Sequence, residues 1–153
     1  MQRFTVASSV VFLSLALVSV NGAHAAGDLT MQQPVEVRVQ LGDAQNALRF
    51  SPNVLEFETG KLYRLVLVNT SPQKHYFSSD GLAQAVFTRK VQINGSDGKP
   101  IAEVKGSIRE IEVHPNGTTE WWFVPVKAGR LADLKCTMPG HAEAGMVGQI
   151  LLK

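Results

Sequence analysis

The chain has 153 residues, with 15 lysines and arginines against 13 aspartates and glutamates, a formal net charge of +2 and a hydrophobic share of 44%. So nearly balanced a charge gives no basic face for nucleic acid or anionic lipid, while the apolar share suffices for one domain with a sizeable core. The single cysteine cannot close an internal disulfide, so in an oxidising compartment its thiol must be buried, paired between chains or bound to a metal.

The first segment carries Arg3, then the apolar run Val10-Val11-Phe12-Leu13-Ser14-Leu15-Ala16-Leu17-Val18, and closes on Ala23-His24-Ala25. A short basic start, an apolar centre and a small-x-small ending are the marks of a secretory signal peptide. The apolar centre falls short of the about 20 residues that span a bilayer. Residues 1–25 are therefore expected to be a cleaved leader, and residues 26–153 one domain, periplasmic or otherwise secreted, with no membrane span after signal cleavage. His24 leaves with the leader.

From Pro34 onward the pattern is β. Val35, Val37, Val39 and Leu41 alternate with Glu36, Arg38 and Gln40, the period-two signature of a half-buried strand. Two short strand pieces, 48–50 and 54–57, are split by Ser51-Pro52-Asn53. Residues 61–69 are apolar at nearly every position after Arg64, which predicts a central strand covered on both faces. A turn over 70–74 then leads into His75-Tyr76-Phe77. Ser78-Ser79-Asp80 offers an N-cap for a short helix over 81–87, weakened by Gly81. Further strand pieces are expected at 90–93, 101–104, 108–113, 118–126, 130–135 and 146–152, punctuated by Gly95 to Gly98, Gly106 and Pro115-Asn116-Gly117. Trp121-Trp122-Phe123-Val124 is apolar on both faces and reads as an interior strand. Seven or eight short strands with one minor helix predict an all-β, antiparallel Greek-key two-sheet sandwich. The sequence holds no repeats and no low-complexity tracts.

The chemistry gathers in Cys136-Thr137-Met138-Pro139-Gly140-His141-Ala142-Glu143-Ala144-Gly145-Met146. Taken singly, the cysteine reads as a small buried hydrophobe and the methionine as core. Together they differ, because Pro139 and Gly140 break helix and strand and place all three donors on one tight loop. One thiolate and imidazoles, with a weak thioether, suit a copper ion cycling between two oxidation states. The missing second imidazole is assigned to His75, at a strand end beside a loop, so the candidate metal set is His75, Cys136, His141 and Met146. His114, beside Pro115, is read as an exposed turn residue. A Cys–His nucleophile is the competing chemistry, but it requires an oxyanion hole and an orienting third group, for which nothing in the sequence offers an obvious set.

With these residues in place the chain resembles the cupredoxins, the blue (type 1) copper family of plastocyanin, azurin, pseudoazurin, auracyanin and rusticyanin. The resemblance covers essentially residues 26–153. The family places a histidine after a central strand and Cys, His and Met on the loop before the last strand, and the Cys-x4-His-x4-Met spacing is similar to that of rusticyanin and auracyanin. It implies one type 1 copper alternating between Cu(I) and Cu(II), a thiolate that supplies the colour, and an axial Met146 that tunes the potential. It also implies a non-enzymatic one-electron carrier, a monomer whose redox partner, such as a cytochrome, reductase or oxidase, docks on the uncharged rim of His141 formed by Met138, Pro139, Gly140, Ala142 and Ala144. The alternative is copper homeostasis, delivery or resistance with the same site. A copper-enzyme subunit fits less well, because one site consumes all the donors and leaves no open position. Two departures stand out. Many members follow the first histidine with an asparagine that ties the ligand loops together, and here the residue is Tyr76. Azurin-like members precede it with glycine, and here the residue is Lys74, so no fifth ligand is expected.

Overall fold

A computed structural model describes residues 31–153. The expected leader, His24 included, lies outside the described residues. Eleven strands and one short helix are present: β1 Val35–Leu41, β2 Phe50–Ser51, β3 Val54–Phe57, β4 Tyr63–Val68, β5 His75–Ser78, α1 Asp80–Ala85, β6 Val86–Asn94, β7 Pro100–Val104, β8 Glu110–Val113, β9 Thr118–Pro125, β10 Gly129–Lys135 and β11 Val147–Leu152. Six strands form one sheet in the order β2-β1-β4-β9-β6-β7, and five form the other in the order β3-β11-β10-β5-β8. The all-β two-sheet sandwich with one short helix is thus the observed architecture. Most neighbours are antiparallel, but β1 pairs with β4 and β3 pairs with β11 in parallel. Consecutive strands β1 and β2, β6 and β7, and β10 and β11 pair within one sheet, while the other connections cross between the sheets, so not every pair of spatial neighbours is joined by a hairpin.

The core lies between the sheets. Trp121, Phe57, Phe77 and Phe123 are its largest fully buried side chains, with Leu41, Leu55, Leu65, Leu67 and Leu134 around them. Each such side chain contributes on the order of 1.5–3 kcal/mol by leaving water. Phe57, Tyr63, Phe123 and Trp121 meet ring to ring at 4.8–6.0 Å, close enough for edge and offset contacts to add to that burial. In β4, Leu65, Val66 and Leu67 are all buried, as a strand covered on both faces requires.

Other elements differ from the sequence pattern for local reasons. Trp122 does not enter the core: on the outer face of β9 its ring is covered by the Arg64 guanidinium at 5.6 Å and the Lys90 ammonium at 5.2 Å, and its indole N–H donates to Glu120. Aromatic rings accept such cations on their faces, so an apolar residue can be covered by charged stems instead of core. The helix stops at Ala85 because Val86 and Phe87 join β6. Its cap is Ser79, whose hydroxyl accepts from Leu82 N–H at 3.0 Å. Gly81 is accounted for by space: a Cβ there would sit 2.9 Å from Leu131 and 3.2 Å from the Asp133 carboxylate, which itself accepts from Gly81 N–H.

Candidate metal centre

Three neighbouring strands of the five-stranded sheet bring the donors together. Strands β10 and β11 are an antiparallel pair, with Lys135 opposite Val147, so residues 136–146 form the loop that joins their ends. Strand β5 lies beside β10, with Ser78 opposite Lys135, and its first residue is His75. The loop closes on itself through the backbone: Cys136 N–H donates to Met146 C=O at 3.0 Å and Met146 N–H to His141 C=O at 2.9 Å. His141 N–H donates to Met138 C=O and Ala144 N–H to Gly140 C=O, both at 3.0 Å. Gly140 and Gly145 take φ of 82° and 102°, a region glycine enters without the Cβ clash that other residues meet. The local sequence therefore dictates a compact knot with its donors turned inward.

His75, Cys136 and Met146 are fully buried and His141 is 7% exposed. Cys136 Sγ lies 3.4 Å from His141 Nδ1 and 3.9 Å from His75 Nδ1, and the three donor atoms fall within 4.8 Å of one another. A first-row metal about 2.0 Å from nitrogen and about 2.3 Å from sulfur, as zinc is, requires N···S separations of roughly 3.7 Å when its donors are trigonal. The observed separations bracket that value, so the residues fit a metal ion. Among the described residues this is the one cluster of three or more His, Cys, Asp or Glu donors with such spacing. Thiolate plus two imidazoles is a donor set suited to copper, and a buried thioether is beside it in sequence and in backbone contact. Cys136 Sγ also accepts Tyr76 N–H at 3.3 Å, a dipole aimed at the sulfur. Burial pushes the His75 imidazole below the ordinary histidine pKa of 6.5, and the charge of neighbouring His141 adds to the shift. Both effects favour the neutral, metal-binding form.

The structure places His75, Cys136 and His141 together as the sequence predicts, and seats Met146 at the mouth of β11 in the same buried knot. His114 stands apart, three-quarters exposed, with Nε2 2.8 Å from a Glu112 carboxylate oxygen. Tyr76, standing where asparagine is usual, points its phenol outward and donates to Glu112 on β8. Thr137 donates to Glu110 on the same strand at 2.6 Å. The two ligand loops are thus tied through β8 as well as through the Tyr76 amide. Lys74 joins this outer group, 3.4 Å from Glu112 and over the Tyr76 ring.

Three residues around His75 escape the sequence reading. Ser71 Oγ lies 2.8 Å from His75 Nε2, Asn69 holds the intervening loop with three side-chain hydrogen bonds, and Gly42 backs onto the imidazole. Their signal was weak: an asparagine two residues before a serine reads as an ordinary turn, and nothing marks Gly42, 33 positions upstream, as a neighbour of His75.

No protein-family model matches the chain. The chain is 28% identical over 141 residues to the copper-resistant cuproprotein CopI of Rubrivivax gelatinosus, a match spanning 86% of this chain and 79% of that protein. Auracyanin A, a blue copper protein of the thermophilic photosynthetic bacterium Chloroflexus aurantiacus, superposes on 79% of this chain and 100% of its own, with TM-score 0.50 and 18% identity. The copper-containing nitrite reductase of Thermus scotoductus superposes on 79% of this chain with TM-score 0.56 and 16% identity, and the match spans 31% of that enzyme. The chain has the cupredoxin fold, and its buried histidine, cysteine, histidine and methionine form a donor combination that suits a copper ion.

Proposed function

We propose that the protein is a type 1 copper protein that carries one electron at a time between redox partners, with His75, Cys136 and His141 as ligands and Met146 as a weaker fourth donor. Copper supplies the one-electron couple, Cu(I)/Cu(II), when bound. The residues of the chain do the rest. Cys136 offers the soft thiolate, held by Tyr76 N–H, and the strands on either side keep both imidazoles in place, so the donors change position little between the two charge states. His141 is the one ligand that reaches solvent, and it offers a short path from the buried cluster to a partner. The sequence of residues 1–25 supports export, which would place the protein in the periplasm. No helix among the described residues is long and apolar enough to cross a membrane.

The observation that carries this reading is the closed trio of buried donors, of which His141 alone keeps some exposure. It is tested by copper loading of the mature protein, a visible spectrum and a redox titration. An intense thiolate-to-copper band with reversible bleaching is expected, and Cys136→Ser should abolish it. A Cys136→Ser protein that keeps the band would overturn the assignment.

A second reading, copper handling, is favoured by the likeness to a copper-resistant cuproprotein. It predicts transfer of copper to a metal-free acceptor instead of fast electron exchange, and the two rates measured on one preparation separate the readings.

A further inference from the structure

We propose that Ser71 is a positioning residue for the His75 donor, fixing its tautomer before any metal arrives; the proposal rests on the reading of His75 as a ligand. The hydroxyl has three neighbours. Gln73 C=O lies at 2.8 Å, Gln73 N–H at 3.2 Å and His75 Nε2 at 2.8 Å. A carbonyl can only accept and an amide N–H can only donate, while serine has one hydrogen to give and two lone pairs to receive. The hydrogen goes to Gln73 C=O, one lone pair receives Gln73 N–H, and the other receives the proton on His75 Nε2. His75 is fully buried, so no solvent offers that nitrogen another partner. With Nε2 protonated, Nδ1 carries the free lone pair, and Nδ1 is the atom that faces Cys136 Sγ at 3.9 Å. The outer hydrogen bond of a ligating histidine sets which ring nitrogen is free, how the ring is turned and how basic it is.

The serine is itself held without help from a metal. Asn69 Oδ1 accepts Ser71 N–H at 2.9 Å, and Asn69 Nδ2 donates to Gln73 C=O at 2.7 Å and to Val113 C=O at 2.8 Å. Val113 is the β8 residue directly opposite His75, so the loop that carries Ser71 is fastened to the strand that flanks the imidazole. Gly42 closes the remaining side: a Cβ there would lie 2.7 Å from His75 Nε2 and 3.0 Å from Ser71 Cβ. Sequence distance hid this arrangement, and burial makes it stable.

The test begins with the metal-free protein. Long-range proton–nitrogen NMR should find His75 protonated on Nε2 in the wild type, and in Ser71→Ala should find the Nδ1-protonated form or a mixture. Titration with Cu(I) against a chelator of known affinity should show Ser71→Ala binding about 10- to 100-fold more weakly. Ser71→Thr, which keeps the hydroxyl, should recover tautomer and affinity together. A wild-type His75 protonated on Nδ1, or a Ser71→Ala protein with wild-type tautomer and affinity, overturns the proposal. The wild-type measurement does not depend on any variant folding. If the chain fails to bind copper, the functional reading falls, and the tautomer result still decides the role of Ser71.

Discussion

At the scale of single residues, the site is made by what surrounds each donor more than by the donors themselves. Met146 is fully buried beside the other donors, and as the proposed weak fourth donor it would help Cu(II) more than Cu(I), which the thiolate and two imidazoles already satisfy. Met146→Leu should therefore keep the thiolate band and raise the reduction potential, with a loss of folding stability under about 1.5 kcal/mol because the swap nearly conserves volume. An unchanged potential in the redox titration would assign the fourth position to another group. Gly42 is the opposite case, since any side chain is unwelcome. Its φ is +68°, and an added Cβ would press on His75 and Ser71. Gly42→Ala combines backbone strain with that clash, so chemical unfolding of the metal-free protein should show a loss of about 1–3 kcal/mol, with weaker copper retention. Wild-type values for both would mean that the loop relaxes freely.

At the scale of elements, β8 acts as the outer brace of the site. Its alternation turns Ile111 and Val113 into the core, and Glu110 and Glu112 outward to Thr137 and Tyr76. The hydrogen bond from Tyr76 holds the Glu112 carboxyl below its ordinary pKa of 4.5 against the opposing effect of desolvation, with Lys74 adding to the lowering. The sign follows from linkage: a carboxyl whose folded pKa is depressed stabilises the fold above its unfolded value, and that stabilisation is lost as pH falls through the folded value. Acid titration of the metal-free protein should therefore show a smaller loss of stability below about pH 4.5 in Glu112→Gln than in the wild type. Parallel wild-type and variant curves would show that the brace does not depend on the carboxylate.

At the scale of the whole molecule, the sandwich gathers the ends of β5, β10 and β11 at one pole and leaves His141 alone of the four donors in reach of solvent. On the same loop Pro139, Gly140 and Ala144 are exposed and Met138 and Ala142 partly so, while exposed Glu143 adds a charge to the stretch that the sequence suggested as an uncharged rim. A partner that docks there must strip water from this patch, and a new charge resists that step. Placing a carboxylate at the rim, as Met138→Glu or Ala142→Glu, should slow second-order electron exchange with a periplasmic cytochrome about 10- to 100-fold, roughly 1.4–2.8 kcal/mol, with the visible spectrum unaltered. Rim variants that exchange electrons at the wild-type rate but no longer pass copper to a metal-free acceptor would favour copper handling.

The sequence alone determined the architecture class and singled out the candidate donors, because both depend on short-range signals. Alternation such as Val35 to Leu41 is local, and so is a loop that packs Cys136, His141 and Met146 between β10 and β11 with Pro139, Gly140 and Gly145 to turn it. His75 was legible at one remove, as a histidine at the end of an apolar strand. Tertiary structure decided what depends on neighbours distant in sequence: the parallel pairings of β1 with β4 and β3 with β11, the outward turn of Trp122 beneath Arg64 and Lys90, and the role of Gly42 and Asn69 around the Ser71–His75 pair. A period-two pattern reports which face of a strand is apolar, not which strand will lie beside it. A glycine or serine reports its own conformational preferences, while its value as a seat for an imidazole exists only once the chain has brought the two together.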